Sequence, residues 1–211
     1  SRDGLIAPHV QAFFFFYLCH HKRVSPQNMA SYRDTFRLLL NFVKEATGKA
    51  PSTLYVHDLD APMILKFLDY LEHQRGNAVR SRNIRLSALR TFFRFVALRD
   101  PESLAITTRV LAIPLKREDT KLVGYLSRDE IEALLAAPDR SHWGGRRDHA
   151  LLLTMYNSGA RVSEVTTLRR EQVCFGATTF LDLHGKGRKE RTVPLWPTTS
   201  HLLQGWLREL G

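Results

Sequence analysis

Two stretches decide how this chain reads: Asn157-Ser158-Gly159-Ala160-Arg161-Val162-Ser163-Glu164-Val165, and further on Leu183-His184-Gly185-Lys186-Gly187-Arg188-Lys189-Glu190-Arg191-Thr192-Val193-Pro194-Leu195. The first joins two helices. Gly159 ends a helix over about Arg146–Asn157 and lets the chain turn, so Arg161 stands at the start of the next with its guanidinium free. A planar fork of donors matches the two non-bridging oxygens of a phosphate and stabilises charge on a pentacoordinate phosphorus. Glu164, one helical turn later, is placed to hold that guanidinium. The second stretch is a β-hairpin, with strands Thr179–His184 and Arg191–Leu195 around a Gly185–Glu190 connection. Lys186 lies between two glycines at its tip, where flexible backbone lets a lysine enter a groove beside a phosphate, and Arg188, Lys189 and Arg191 add phosphate contacts. Taken singly, each stretch also has a plain reading: a surface arginine at a helix start, and a hairpin kept soluble by its charges.

Upstream, from residue 8 to about 112, the pattern is helical throughout. Pro8–His21 is one apolar segment, read as a buried helix; Ser25-Pro26 is an N-cap with proline at the first helical position, and Gly48 is a stop. Tyr32, Phe36, Leu39 and Val43 share one face of the helix between them. A third helix starts near Asp60, buries Ile64, Phe67, Leu68 and Leu71, and ends at Gly76. The fourth, about Val79–Leu98, carries an apolar stripe of Leu86, Leu89, Phe93 and Val96. Another face carries Arg80, Asn83, Ser87, Arg90 and Arg94, with Arg82 and Arg85 beside them. Solvated faces usually mix charge signs, and no acidic residue occurs between Asn77 and Leu98, so this face reads as one made for phosphates and base edges.

Charge agrees with that reading. The 211 residues hold 31 Lys+Arg against 21 Asp+Glu, a formal net charge of +10, which calls for a polyanionic partner, nucleic acid before an anionic membrane surface. Residues 1–112 carry 16 basic and 9 acidic side chains, net +7, and residues 113–211 carry 15 and 12, net +3. The aperiodic segment 113–123 between them reads as a linker. Beyond it Ser127 and Glu130 form a capping box ahead of Ile131, Leu134 and Leu135, a short strand lies at Val173–Cys174, and a last amphipathic helix spans Thr198–Leu210. The longest apolar run, Ala12–Cys19, is too short to span a membrane, and its basic pair Lys22-Arg23 follows it where a signal peptide would have it precede. Cys19 and Cys174 stand in no metal-ligand spacing and suggest no disulfide framework, so a cytoplasmic location is expected. No Walker loop, GxGxxG turn or HExxH helix occurs, so neither a metal nor any other cofactor is expected.

Together, in this order and behind a four-helix basic region, the two stretches resemble the first catalytic-arginine motif and the catalytic-lysine hairpin of the tyrosine recombinases, the phage-integrase family. The resemblance covers essentially the whole chain. It implies a mainly α fold with a small β-hairpin or sheet. Residues 1–112 would be a helical, SAM-like core-binding domain, 113–123 the linker, and 124–211 the N-terminal part of an α+β catalytic domain, the two domains clamping duplex DNA from opposite sides. It implies that Arg161 is catalytic and that Lys186 protonates the departing 5′ oxygen as general acid. In the family a tyrosine attacks the phosphate and forms a 3′-phosphotyrosyl intermediate, so rejoining needs neither metal nor nucleotide. Double-stranded DNA is the implied partner, with other recombinase subunits in the full-length protein.

The chain departs from the family pattern after the hairpin. A His-x-x-Arg helix, then a His or Trp, then the nucleophilic tyrosine should follow. The residues after Leu195 include His201 but no such motif and no tyrosine. The His-x-x-Arg at His20–Arg23 is at the wrong end, and none of Tyr17, Tyr32, Tyr55, Tyr70, Tyr125 and Tyr156 stands in the nucleophile's place, Tyr156 lying before Arg161 on a helix that reads as core. The expectation is therefore a chain truncated before its nucleophile, which binds DNA but neither cleaves nor exchanges strands alone. Two origins fit: a piece of an active recombinase, or a naturally truncated regulator that occupies recombination sites. A helical transcription regulator with an appended hairpin is a third reading, but it leaves Arg161 and Lys186 unexplained. Half a catalytic domain should also expose apolar surface, with Trp196 and Trp206 as candidates.

Overall fold

The computed structural model describes residues 4–118, 124–185 and 190–211. The chain divides into two compact units, residues 1–121 and 122–211.

The first unit is all helical and is built around an aromatic core. Helix α1 (Ile6–Ala12) continues directly into a π-helical stretch, Phe13–His21, marked by the i→i+5 bond from the Lys22 N–H to the Tyr17 carbonyl at 2.8 Å. The wider winding lets Phe13 and Leu18, five residues apart, both bury completely. The apolar run at residues 12–19 is thus a helix, but one whose periodicity differs from the α-helix expected. Phe13 packs against Tyr32 and Phe36 of α2 (Pro26–Thr47) and Phe92 and Phe95 of α4 (Val79–Arg99), with ring centroids 5.3 to 6.0 Å apart. Phe15 and Phe16 point outward.

Local signals set the boundaries of the other helices. The Ser25 hydroxyl accepts from the Asn28 N–H to cap α2, which ends at Gly48 in the left-handed region, φ 73°. The Asp60 carboxylate accepts from the Met63 N–H at 2.9 Å and opens α3 (Ala61–His73). Ile64, Phe67, Leu68 and Leu71 of α3 and Leu86, Leu89, Phe93 and Val96 of α4 are fully buried, as their spacing requires. A short α5 (Leu104–Leu111) closes the unit. Residues 113–118, expected as linker, lie along α4. Ile113 joins the core, and the Pro114 and Lys116 carbonyls accept from the Arg82 and Asn83 side chains. The linker residues 119–123 lie outside the described residues.

The second unit holds four α-helices, a single 3-10 turn at Arg170–Gln172 and a three-stranded antiparallel sheet of order β1-β2-β3 among its described residues. Helix α6 (Arg128–Ala136) begins with the expected capping box: Glu130 N–H to Ser127 Oγ at 3.2 Å, and Ser127 N–H to Glu130 Oε2 at 2.7 Å. Its apolar residues find little cover, and Leu134 is exposed. Helix α7 (Trp143–Ser158) ends at Gly159, φ 59°, and α8 (Val162–Thr166) follows. Strands β1 (Val173–Cys174), β2 (Phe180–His184) and β3 (Glu190–Pro194) pair with Leu181 opposite Val193 and Leu183 opposite Arg191. The last helix, α9 (Pro197–Leu210), is joined to α7 by the Arg146–Glu209 ion pair at 2.6 Å and by Trp143 against Trp206. A small core of Ala160, Val173, Leu181, Leu183, Leu195 and Leu203 sits under the sheet.

Replacing Phe13 by alanine should destabilise the first unit by about 3–5 kcal/mol, whereas Phe16→Ala should stay within about 0.5 kcal/mol. Urea denaturation followed by circular dichroism reads both, and equal losses would contradict the core assignment.

Candidate functional site

The turn at Gly159 places Ala160 in the small core and turns Arg161 outward at the N-cap of α8. Its side chain is 67% exposed, while that of Glu164, one turn on, is 4% exposed. The two meet twice: the Arg161 backbone N–H donates to Glu164 Oε2 at 2.9 Å, and Arg161 Nη1 donates to Oε1 at 2.9 Å. Glu164 therefore caps its own helix and steadies the arginine, leaving the outer edge of the guanidinium to solvent.

Arg191, expected on the hairpin as a phosphate contact, lies elsewhere in this scheme. From β3 its guanidinium reaches the same carboxylate, with Nη2 to Oε2 at 2.7 Å and Nη1 to Oε1 at 3.2 Å. The Arg191 guanidinium first, and then the Arg161 backbone N–H, hold the Glu164 carboxyl at a pKa of about 2, down from 4.5. Lys186, Arg188 and Lys189 lie outside the described residues. At the base of the hairpin His184 pairs with Glu190 across the strands, Nδ1 to Oε1 3.2 Å.

The basic face of α4 is less uniform than its spacing suggests. Arg80, Ser87 and Arg94 are exposed and Arg90 is half-buried. Of these, Arg80 and Ser87 line an open groove of about 500 Å³ between α2 and α4, together with Asn28, Ser31 and Tyr32. Three neighbours are committed to the protein itself. Arg82 is buried, its Nη1 donating to the Pro114 carbonyl at 3.3 Å and to Asn83 Oδ1 at 3.1 Å. The Asn83 amide brackets the Lys116 backbone, donating to its carbonyl at 2.8 Å and accepting from its N–H at 3.1 Å. Arg85 is paired with Asp34 of α2 at 2.8 Å. Partial burial of Asp34 works against its ionisation, but hydrogen bonds from Arg37 and Arg85 keep its carboxyl below the usual range. The expectation of an exposed Arg82 fails because the chain returning after α5 covers that side of α4, and helical spacing carries no record of that return.

Tyr156, on a helix expected as core, is half exposed and packs edge-on against Trp196, whose backbone N–H donates to Asn157 Oδ1 at 2.8 Å. Trp196 is itself exposed, and Trp206 lines an apolar groove of about 580 Å³ between α7 and α9. Among the described residues Asp69, Glu72 and His73 on α3 bring three possible metal-ligand atoms within 4.8 Å of one another, but the Glu72 carboxylate is paired with Lys116.

Comparison with known proteins gives the family. Residues 124–210 match the phage integrase family and residues 12–100 the phage integrase N-terminal SAM-like domain. The putative integrase/recombinase y4rD of Sinorhizobium fredii is 38% identical over 212 residues, the whole of this chain and 75% of that protein. The chain belongs to the phage integrase family, the tyrosine recombinases. A second protein of the same organism, the putative integrase/recombinase y4rC, is 49% identical over 209 residues, 99% of this chain but 63% of its own length. The fold is shared with the XerH site-specific recombinase in its post-cleavage complex with palindromic difH substrate, at a TM-score of 0.67 and 20% identity over 89% of this chain and 54% of that one. The integrase chain is thus mainly helical with a small antiparallel sheet, a SAM-like domain followed by a catalytic-domain fragment. Among the described residues no helix is long and apolar enough to cross a membrane.

Glu164 contributes to folding stability as its ionised form. Because its folded-state value lies below 4.5, that contribution is complete above about pH 4.5 and is lost as the pH falls towards about 2. Melts across that window should show a steeper acid loss in the wild-type chain than in Glu164→Gln, and parallel curves would contradict the shared-carboxylate geometry.

Proposed function

We propose that these 211 residues are the DNA-binding portion of a site-specific recombinase. In this reading the exposed basic residues of α4 hold the duplex backbone, and Arg161 binds the phosphate at which the strand is cut. Lys186 gives its proton to the departing 5′ oxygen. The observation that carries the reading is the buried Glu164 carboxylate holding Arg161 from behind while the outer edge of the guanidinium stays open. A guanidinium fixed in this way suits a phosphate whose charge grows on reaching the transition state, because no reorganisation is then needed. The XerH structure supports the partner, since that protein is bound to its difH substrate.

In the complete reaction a tyrosine oxygen forms a bond to phosphorus as the bond to the 5′ oxygen breaks, and the leaving oxygen takes the lysine's proton. The bond energy passes into the phosphotyrosyl link, so rejoining needs neither metal nor nucleotide. Arg188 and Lys189 add phosphate contacts beside Lys186. Other recombinase subunits would complete the assembly, and the two unpaired thiols, Cys19 and Cys174, suit a cytoplasmic setting. No tyrosine follows Tyr156, and no His-x-x-Arg follows the hairpin, so these residues by themselves bind without cutting.

Duplex binding should weaken steeply with salt, and Arg80→Gln or Arg94→Gln should each lower the slope of log K against log salt by about 1. Arg82→Gln should instead lower the melting temperature and leave that slope alone. A slope unchanged by both surface variants would remove α4 from the interface. On a nicked duplex the 211-residue chain should leave no protein–DNA adduct after denaturation. A covalent adduct would show that the nucleophile is present after all.

A further inference from the structure

The Glu164 carboxylate has four acceptor positions, and all four are filled. Arg161 supplies two donors, its backbone N–H and Nη1, and Arg191 supplies the other two, Nη1 and Nη2. The three side chains sum to one positive charge. Without Arg191 the pair Arg161–Glu164 would be neutral, and a buried carboxylate with two empty positions would draw the Arg161 guanidinium inward. Arg191 lies on β3 opposite Leu183 of β2, five residues after Lys186. Its fork is turned onto Glu164, so it is not free to bracket a phosphate.

We infer that Arg191 is a positioning residue: by occupying Glu164 from the hairpin strand it frees the outer edge of Arg161 for the phosphate and registers the lysine hairpin against that arginine. The inference rests on the reading of Arg161 as the phosphate-binding residue. Each part follows from fork geometry. A lysine at position 191 would keep the charge but present a compact ammonium unable to fill both carboxylate oxygens in plane. Charge alone therefore does not replace it. A residue that merely touched phosphate would behave in the opposite way, because lysine binds phosphate well as a point charge.

The test uses the whole 211-residue chain and a fluorescein-labelled mixed-sequence duplex at fixed salt, with circular dichroism melts to verify folding. Arg161→Gln should weaken binding on the order of tenfold. Arg191→Gln and Arg191→Lys should each weaken it by a similar factor, and adding either to Arg161→Gln should cost nothing more. Wild-type binding by Arg191→Lys, or losses that multiply in the double variant, would overturn the inference in favour of direct phosphate contact. Unchanged binding by both Arg191 variants beside a weakened Arg161→Gln would reduce Arg191 to a structural ion pair. Unchanged binding by Arg161→Gln would instead overturn the underlying reading of Arg161, and the inference with it. A measurement on the unsubstituted chain does not depend on variants folding. In arginine-labelled protein, the duplex should shift the Arg161 Nε–Hε resonance and leave that of Arg191 in place. Equal shifts at both would overturn the inference.

Discussion

A carboxylate with 4% of its side chain exposed can stay ionised only if its charge and its lone pairs are answered within the protein. In this integrase chain Glu164 meets that requirement from two directions at once, from the helix that carries it and from the edge strand of the sheet. The requirement ties α8 to β3, and since Ala160 and Leu183 beside the two arginines lie in the small core, it ties the polar site to the packing beneath it. Rigidity at a phosphate site is chemically useful, because donors already in place need not reorganise when charge develops. The second unit has few fully buried apolar residues, so the two bonds from Arg191 that cross from β3 to α8 account for more of its order than such a link would in a larger core.

The first unit solves a different problem. Its core is aromatic, and the π-helical winding at Phe13–His21 lets residues that an α-helix would turn apart share one buried face. Helix α4 then carries two loads. Its apolar stripe closes the core, while its polar side is divided between solvent and the returning chain, with Arg82 and Asn83 holding the backbone of residues 114–116. Of the residues left exposed, Arg80, Ser87 and Arg94, the first two line the open groove. A basic helix therefore spends part of its charge on its own fold, and counting arginines on it overstates what reaches a ligand.

Much of this was readable from residues alone. Caps at Ser25, Asp60 and Ser127 and the stop at Gly159 are local: the side chain or the backbone conformation that ends a helix lies within a turn of the end. The apolar stripes of α3 and α4 follow from period, and the Arg161–Glu164 contact from a separation of one helical turn. Tyr156 and Arg82 depart from what their helices' pattern implies for one reason: burial depends on which segment, distant in sequence, arrives at a face.

Sequence by itself determined most of the elements, the order of the arginine and lysine motifs, the positive charge and the family, because each is set by neighbours along the chain or by residue type. Only the tertiary structure decided that Arg191 turns inward to Glu164 and that Arg82 and Asn83 serve the backbone after α5. Those contacts span 27, 32 and 33 residues. At such separations no helical or strand period relates the partners, and only the packed chain brings them together.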